Sequence, residues 1–142
     1  MASPLFLDTG YVIALSSARD RYHDAALHWE RRIRADSVPV VTTRAVQLEI
    51  GVAFSRLAYR AAAAAILEAF ERDAGITVVP LDDDVYGRAL ALFASLPDKE
   101  WSLTDCVPFV VRRNRTITKA LTTDAHFSQA GFEALLHTQV AP

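Results

Sequence analysis

Cysteine is almost absent from the sequence, since Cys106 is the single example among 142 residues. One cysteine excludes an internal disulfide framework and a zinc site built from several cysteines. We interpret Cys106 as a small core residue, because it falls inside a predicted amphipathic helix. The four histidines do not have the spacing of zinc ligands either. Chemistry based on thiols or on zinc is therefore not expected.

Long apolar runs are also missing, and no stretch approaches the roughly 18 residues of a membrane span. The N-terminal segment MASPLFLDTG lacks the basic region of a signal peptide, and its apolar run ends at Asp8. Hydrophobic residues make up 51% of the chain and charged residues 23%, which is typical of an ordinary globular domain. These features predict one cytoplasmic domain spanning residues 1–142, with no membrane contact.

An excess of positive charge is absent as well, because the formal net charge is −2 at pH 7. A protein that binds nucleic acid through its overall charge would be strongly basic. The net charge is a weaker argument against nucleic-acid binding if several acids are gathered in one metal site, since the remainder of the chain would then be slightly basic. Local groups of cations therefore matter more than the net charge.

What the chain does contain is an alternation of short apolar runs and longer amphipathic segments. Strands separated by helices run parallel and form a sheet buried on both faces. The pattern predicts an α/β fold with a central parallel sheet of about four to five strands flanked by helices. The predicted strands are Leu5 to Leu7, Val38 to Val41, Ile76 to Val79, Ala120 to Thr123 and part of Phe132 to His137. The predicted helices are Tyr11 to Leu15, Tyr22 to Arg34, Arg44 to Leu57, Tyr59 to Arg72, one after Asp82 to Asp84, and one after Trp101.

Two aspartates in the last third of the chain occupy positions where an α/β sheet places its ligands. Asp105 lies in the first turn of the helix after Trp101, and Asp124 follows a predicted strand. Such positions converge outside the carboxyl ends of parallel strands. A structural role is the alternative for each residue. Asp105 would form a capping box with Ser102, and Asp124 would cap a short helical turn.

Two further acids occupy related positions earlier in the chain. Asp8 follows the first predicted strand, where stabilising the next turn is the alternative role. Glu49 borders the apolar stripe of a predicted helix, where a lone carboxylate is costly unless it is paired or metal-bound. A salt bridge to Arg44 or Arg56 is the alternative for Glu49.

The four acids Asp8, Glu49, Asp105 and Asp124 form a stronger pattern together than separately. Carboxylates gathered at one place repel one another and raise their pKa values. A hard divalent cation offsets that repulsion, and Mg²⁺ or Mn²⁺ prefers carboxylate and water ligands. The pattern therefore predicts a magnesium or manganese site, in which His126 is interpreted as a packing residue.

The order and context of these acids resemble the PIN-domain nucleases, including the VapC-like toxins. The resemblance is carried by FLDTGYVIAL around Asp8, AVQLEIG around Glu49, SLTDCVPFVV around Asp105 and LTTDAHFSQAGF around Asp124. The motifs occur in family order over nearly the whole chain, although residues 59–96 match only in being helical. Pro108 departs from the family, which usually has a small polar residue or alanine at that position.

The resemblance implies a PIN-like fold and a Mg²⁺- or Mn²⁺-dependent endoribonuclease that leaves a 5′-phosphate and a 3′-hydroxyl. It implies Asp8, Asp105 and Asp124 as metal ligands and Glu49 as a ligand or an orienting group. It also implies a catalytic role for the Thr123 hydroxyl, near the metal-bound water. A homodimer and a cognate antitoxin are the implied partners, so that the protein would be the toxin of a pair.

Contact with an RNA substrate requires cations near the acids. Arg112, Arg113, Arg115 and Lys119 lie between the two late aspartates and are the predicted phosphate contacts. The alternative for Arg112 and Arg113 is the solvated end of a helix.

Two other functions remain open at this point. A phosphate-handling α/β enzyme or a receiver-like module also keeps acids at strand ends. The first strand is followed by Asp-Thr-Gly, however, and not by the D-x-D motif of haloacid-dehalogenase-type phosphatases. The second alternative is a catalytically idle PIN-like binding module that holds a partner protein.

Overall fold

Parallel strands and helices alternate along the whole of the computed structural model, which describes residues 3–137. This part of the chain contains five strands, seven α-helices and one 3-10 turn, and none of its helices is long and apolar enough to cross a membrane. The strands are β1 (Leu5–Leu7), β2 (Val40–Thr43), β3 (Ile76–Val79), β4 (Lys119–Leu121) and β5 (Glu133–Ala134). The helices are α1 (Thr9–Ser16), α2 (His23–Asp36), α3 (Arg44–Ala53), α4 (Leu57–Arg72), α5 (Asp83–Ser95), α6 (Leu103–Arg115) and α7 (Ala125–Gln129), with the 3-10 turn at Leu135–His137.

The five strands of residues 3–137 form one parallel sheet in the order β3-β2-β1-β4-β5. The chain builds the sheet outward from β1 to β3 and then returns to the other side of β1 with β4 and β5. The crevice between β1 and β4 is therefore the point where the strand order reverses. Ligands of open α/β sheets bind there, outside the carboxyl ends of the strands. The predicted fold class is confirmed.

Aromatic packing holds the last two helices against this crevice. The ring of Phe6 in β1 lies 5.9 Å from the ring of Phe127 in α7 and 6.2 Å from that of Phe132. Phe109 of α6 lies 5.2 Å from Phe127, in an edge-on arrangement. A five-residue helix such as α7 is not stable alone, so burial of Phe127 holds it in place. The starts of α6 and α7 are thereby fixed near the ends of β1 and β4.

Several helices begin where a short polar side chain precedes an apolar segment. Such a side chain accepts a hydrogen bond from a free N–H of the first turn. The N-terminus of each of these helices is therefore fixed by a residue that the sequence places directly before it. The capping side chains are Thr43 for α3, Asp82 for α5, Ser102 for α6 and Asp124 for α7.

Several predicted boundaries differ from those of the structure, most clearly at α3 and β2. The helix predicted to continue to Leu57 ends at Ala53, and α4 begins at Leu57, which is 91% exposed. The apolar stripe that suggested one long helix therefore does not continue past Ala53. The strand predicted over Val38 to Val41 begins at Val40 in the structure, because the N–H of Val38 still donates to Ile33 O at the end of α2.

Candidate active site

Asp8 lies directly after β1, at the crevice beside β4. The register pairs Leu7 with Leu121, which brings Asp8 next to Thr122. The hydroxyl of Thr122 donates to Asp8 Oδ2 at 2.7 Å, and the N–H of Asp8 donates to Leu121 O at 3.2 Å. Thr122 is fully buried and also accepts from the N–H of Asp124 at 3.0 Å. One hydroxyl therefore joins the two strand ends that carry Asp8 and Asp124.

Asp105 has the structural role that the sequence left open, and it also faces the acids. Its N–H donates to Ser102 Oγ and its Oδ2 accepts from the N–H of Ser102, each at 3.0 Å. The same Oδ2 lies 3.2 Å from His126 Nδ1. The capping box thus fixes the orientation of the carboxylate without removing it from the site.

Asp124 caps α7 and completes a group of three side chains. Its Oδ1 accepts from the N–H of His126 at 2.9 Å and lies 3.5 Å from the Nδ1 of the same residue. One ligand atom from each of Asp105, Asp124 and His126 lies within 4.8 Å of the others. The interpretation of His126 as a packing residue was wrong, because its half-buried ring contacts both carboxylates. Its position two residues after the capping Asp124, in the same helical turn, was the available sequence signal.

Burial and the neighbouring acids both raise the pKa of Asp8, and burial has the larger effect. Burial raises the pKa of Asp8 to about 6, against the lowering effect of its hydrogen bonds with Thr122 and with the Thr9 backbone. The carboxylates of Asp124 and Asp105 raise the pKa of Asp8 further. A proton on Asp8 or a nearby cation would relieve this repulsion.

Glu49 belongs to the same electrostatic group. Partial burial raises its pKa to about 7, and the carboxylates of Asp8, Asp105 and Asp124 add to the increase. The Glu49 side chain is exposed and lies within reach of the charges of the three aspartates. The salt bridge considered with Arg44 is not formed, because Arg44 pairs with Glu71.

The arrangement fits a hard divalent cation. Carboxylate oxygens are the ligands that Mg²⁺ and Mn²⁺ prefer. Burial and then the charges of the neighbouring acids raise the pKa values of Asp8 and Glu49, and a cation would offset both effects. The hydroxyl of Thr9, directly after Asp8, is buried and has no hydrogen-bond partner among the described residues. A bound cation with its water molecules would supply that partner.

The threonine that contacts a site carboxylate is Thr122, and the structure gives Thr123 a different environment. A Cβ at Gly10 would lie 2.6 Å from Thr123 Oγ1, so Gly10 is required for the start of α1 to pack against this segment. The carbonyl of Thr123 accepts from His137 at 2.8 Å. The sequence could not distinguish the two adjacent threonines, because the end of β4 at Leu121 was not predicted.

Arg112, one of the four predicted phosphate contacts, stabilises the fold through its contacts with backbone carbonyls. Its guanidinium donates to the carbonyls of Ile117, Ala130 and Gly131 at 2.9 to 3.1 Å. It also lies over the ring of Phe132, 5.1 Å from the ring centre. Gly131 has φ 94°, and a Cβ there would lie 3.0 Å from Arg112. The predicted role of Arg112 in RNA contact is therefore replaced by a structural one.

The other three predicted cations are not brought to the carboxylates. Arg113 and Arg115 lie in the last turn of α6, and ten residues of helix separate Arg115 from Asp105, about 15 Å at the usual rise. Lys119 begins β4, whereas Asp124 follows the end of that strand. All three therefore lie toward the edge of the sheet opposite to the acids.

Comparison with known proteins gives matches over nearly the whole chain. A family model described as PIN domain matches residues 5–133. The 23S rRNA-specific endonuclease VapC20 of Mycobacterium tuberculosis, found in strains CDC 1551 / Oshkosh and ATCC 25618 / H37Rv, is 32% identical over 130 residues, which cover 90% of this chain and 95% of that protein. The crystal structure of Mycobacterium tuberculosis VapC20, described as a sarcin-ricin loop cleaving toxin, matches with a TM-score of 0.77 at 28% identity, covering 91% of this chain and 96% of that one.

Proposed function

We propose, because the chain belongs to the PIN domain family, that it is an endoribonuclease that hydrolyses RNA phosphodiester bonds at the carboxylate site. The proposal is supported by the grouping of Asp8, Asp105 and Asp124 near the crevice between β1 and β4, whose charges also raise the pKa of Glu49. A phosphate-handling enzyme with acids at strand ends would not need four of them to influence one another.

We further propose that the site holds Mg²⁺ or Mn²⁺ between Asp8, Asp105 and Asp124, with Glu49 as a ligand or an orienting group. Such an ion supplies an activated water molecule and offsets charge on the scissile phosphate. The protein's own groups fix the ligands: Thr122 orients Asp8, and the capping box and His126 orient Asp105. Hydrogen-bond partners of this kind orient the ligands of a metal and support its binding.

The carboxylate of Glu49 contributes a further property to the mechanism. Because its pKa is raised to about 7, this group gains or releases a proton near neutral pH. A bound divalent cation would oppose the influence of the three aspartates and hold Glu49 as a carboxylate, so metal binding should be coupled to release of this proton.

Ribosomal RNA is the substrate we propose to test first. The relative VapC20 is named a 23S rRNA-specific endonuclease, and its crystal structure is described as that of a sarcin-ricin loop cleaving toxin. The similarity spans nearly the whole length of both proteins. A ribosomal substrate would place the action of this protein in the cytoplasm.

A cognate antitoxin is a proposed partner, in keeping with the description of the related structure as a toxin. A cavity of about 620 Å³ opens between α1, α2 and α4. Its apolar lining would accept side chains from an antitoxin segment. The lining includes Tyr11, Leu15, Ile33, Ile66 and Phe70.

A homodimer is the second proposed assembly. Large apolar side chains are exposed on neighbouring parts of α3 and α4, namely Leu48, Val52, Leu57 and Tyr59. Exposed large apolar side chains grouped on neighbouring elements favour protein contacts. A Val52→Glu substitution should convert a dimer to a monomer in light scattering, and a monomeric parent protein would refute the proposal.

The function is tested by incubating the purified protein with total ribosomal RNA in Mg²⁺ or Mn²⁺ and mapping the new ends. Discrete products with 5′-phosphates are expected, and chelation should abolish them. Calorimetry on the same sample measures metal binding. A folded protein that binds neither metal nor RNA but binds an antitoxin would identify the idle binding module instead.

A further inference from the structure

Three side chains form a stacked surface beside the carboxylates at the same edge of the sheet. The Nε2–H of His137 donates to the carbonyl of Thr123, the residue directly before Asp124. The His137 ring lies 5.3 Å from the Tyr22 ring with a tilt of 34°, and the guanidinium of Arg21 lies 5.4 Å from the centre of the Tyr22 ring. Arg21 and His137 are exposed. We name Arg21, Tyr22 and His137 the stacked surface.

The stacked surface is fixed before any ligand binds. The Oδ1 of Asp20 accepts from the N–H of Tyr22 at 2.8 Å and closes the turn before α2. The N–H of His23 donates to Asp20 O at 3.1 Å, and His23 Nδ1 lies 2.7 Å from Ala14 O. Because these bonds hold the segment, little ordering entropy would be lost on binding.

The chemistry of the stacked surface matches that of unpaired nucleotides. Single-stranded RNA is bound by stacking its bases on aromatic or histidine rings and by placing cations near its phosphates. Arg21 forms no ion pair within residues 3–137, whereas the cations of α6 lie far from the acids. A cation beside the site would attract the phosphates that flank the cleaved bond, which the carboxylates alone repel.

We propose that the stacked surface binds an unpaired nucleotide of the RNA next to the cleaved phosphate. The base stacks on the outer face of the His137 ring, and Arg21 contacts the backbone. This inference rests on the proposed ribonuclease function. The opposing interpretation is that the rings only pack the turn and that His137 only holds the Thr123 carbonyl.

Two substitutions of His137 separate these roles. His137→Gln keeps an amide N–H that can reach Thr123 O but removes the ring. His137→Phe keeps a ring but removes the hydrogen bond. Base stacking predicts that phenylalanine preserves RNA binding and glutamine does not, whereas a purely structural role predicts the reverse.

Binding is measured by fluorescence anisotropy with a short labelled single-stranded RNA of mixed sequence in Mg²⁺, using Asp8→Asn to prevent cleavage. His137→Gln should raise the Kd roughly tenfold, the scale of one stacked base, and His137→Phe should stay within about twofold. Arg21→Ala should raise the Kd and reduce the slope of log Kd against log salt by about 0.7. Arg115→Ala, an arginine at the opposite edge, is the matched control and should behave as the reference.

The inference is overturned if His137→Gln binds as the reference does, or if His137→Phe loses as much affinity as His137→Gln while both melt at the reference temperature. Cleavage of ribosomal RNA by the unsubstituted protein tests the proposed function separately. Cleavage together with unchanged His137 variants would refute only the stacked surface. A protein that neither cleaves nor binds RNA would refute both.

Discussion

The two ends of α6 carry opposite charges and have different tasks. The first turn contains Asp105 and faces three other acids, whereas the last turn contains three arginines. Both distributions suit the helix dipole, which favours acids at the N-terminus and cations at the C-terminus. The charge pattern of the helix alone therefore does not indicate a function. The surroundings of each end indicate its role, because Asp105 lies near other carboxylates while Arg112 donates to backbone carbonyls.

The largest expected difference between the two ends is catalytic. Asp105→Asn should reduce RNA cleavage by roughly a thousandfold or more, since metal binding supplies several kcal/mol of transition-state stabilisation. The fold should persist, because an asparagine oxygen can still accept from the N–H of Ser102. Arg115→Ala is the control at the other end of α6 and should keep full activity. Equal kcat/KM values in the two variants would show that the two ends of α6 do not differ in their contribution to catalysis.

A second substitution tests whether Glu49 of α3 acts together with Asp105. Glu49→Gln keeps the shape of the side chain and removes its charge, so cleavage should fall roughly a hundredfold, as for loss of a group that orients a metal ligand. Excess Mn²⁺ should recover part of the rate, because metal affinity is what was damaged. Full activity at limiting metal would show that Glu49 is only a surface residue.

The opposite end should respond in stability rather than in activity. Arg112→Ala leaves the carbonyls of Ile117, Ala130 and Gly131 without their donors and should lower the free energy of unfolding by about 2–3 kcal/mol. Arg113→Ala, one residue along, should change it by less than about 0.5 kcal/mol. Urea unfolding compares the two variants. Cleavage per folded molecule should be unchanged in both, and a selective loss of RNA binding in Arg112→Ala would contradict the structural role.

The acids near the start of α6 should also make the stability of the metal-free protein depend on pH. The pKa of Asp8 is raised from 3.8 to about 6, so the folded state binds this proton more tightly than the unfolded state. The protein should therefore be most stable below about pH 4 with respect to this group and lose stability as the pH rises through 6, by at most about 2–3 kcal/mol. Glu49 should extend the loss toward pH 7.

Thermal melting in the presence of a chelator measures this effect. Asp8→Asn should flatten the dependence and melt higher than the parent at pH 8. Added Mg²⁺ or Mn²⁺ should raise the melting temperature of the parent, since ligands of the folded state stabilise it. A parent that gains stability between pH 4 and 7 would contradict the assignment.

The smallest expected effect concerns two adjacent threonines. Thr122→Val removes the hydroxyl that orients Asp8 and should lower cleavage by about tenfold, the scale of an outer group at a metal site. Thr123→Val is the matched control, and it should change the rate by less than that. A greater loss in Thr123→Val would restore the role that the sequence assigned to Thr123.

The sequence was sufficient for those features that depend on local patterns. Apolar runs ending in Asp8 and near Asp124 identified the strand ends, and the parallel arrangement then followed from the intervening helices. The capping box at Ser102 and Asp105 was visible in the spacing of the two residues. These features involve neighbours within one turn or one strand.

Features that depend on contacts between distant parts of the chain could not be predicted from local patterns. Position between two aspartates suggested that the late cations approach the site, but α6 carries them away from it before the chain returns in β4. The contact of His126 with Asp105 depends on how α7 packs through Phe127, which no local pattern encodes. The role of Thr122 depends on the register of β4 against β1.

The hydroxyl of Thr122 has a direction as well as a position. It donates a hydrogen bond to Asp8 Oδ2 and accepts one from the N–H of Asp124. Amide, hydroxyl and carboxylate therefore form a chain of aligned dipoles, in which each bond polarises the next. Negative charge on Asp8 strengthens the whole chain, and loss of that charge weakens it. The first turn of α7 should consequently report the ionisation of Asp8, and a change in the Asp124 amide chemical shift with pH would follow the carboxylate across the crevice.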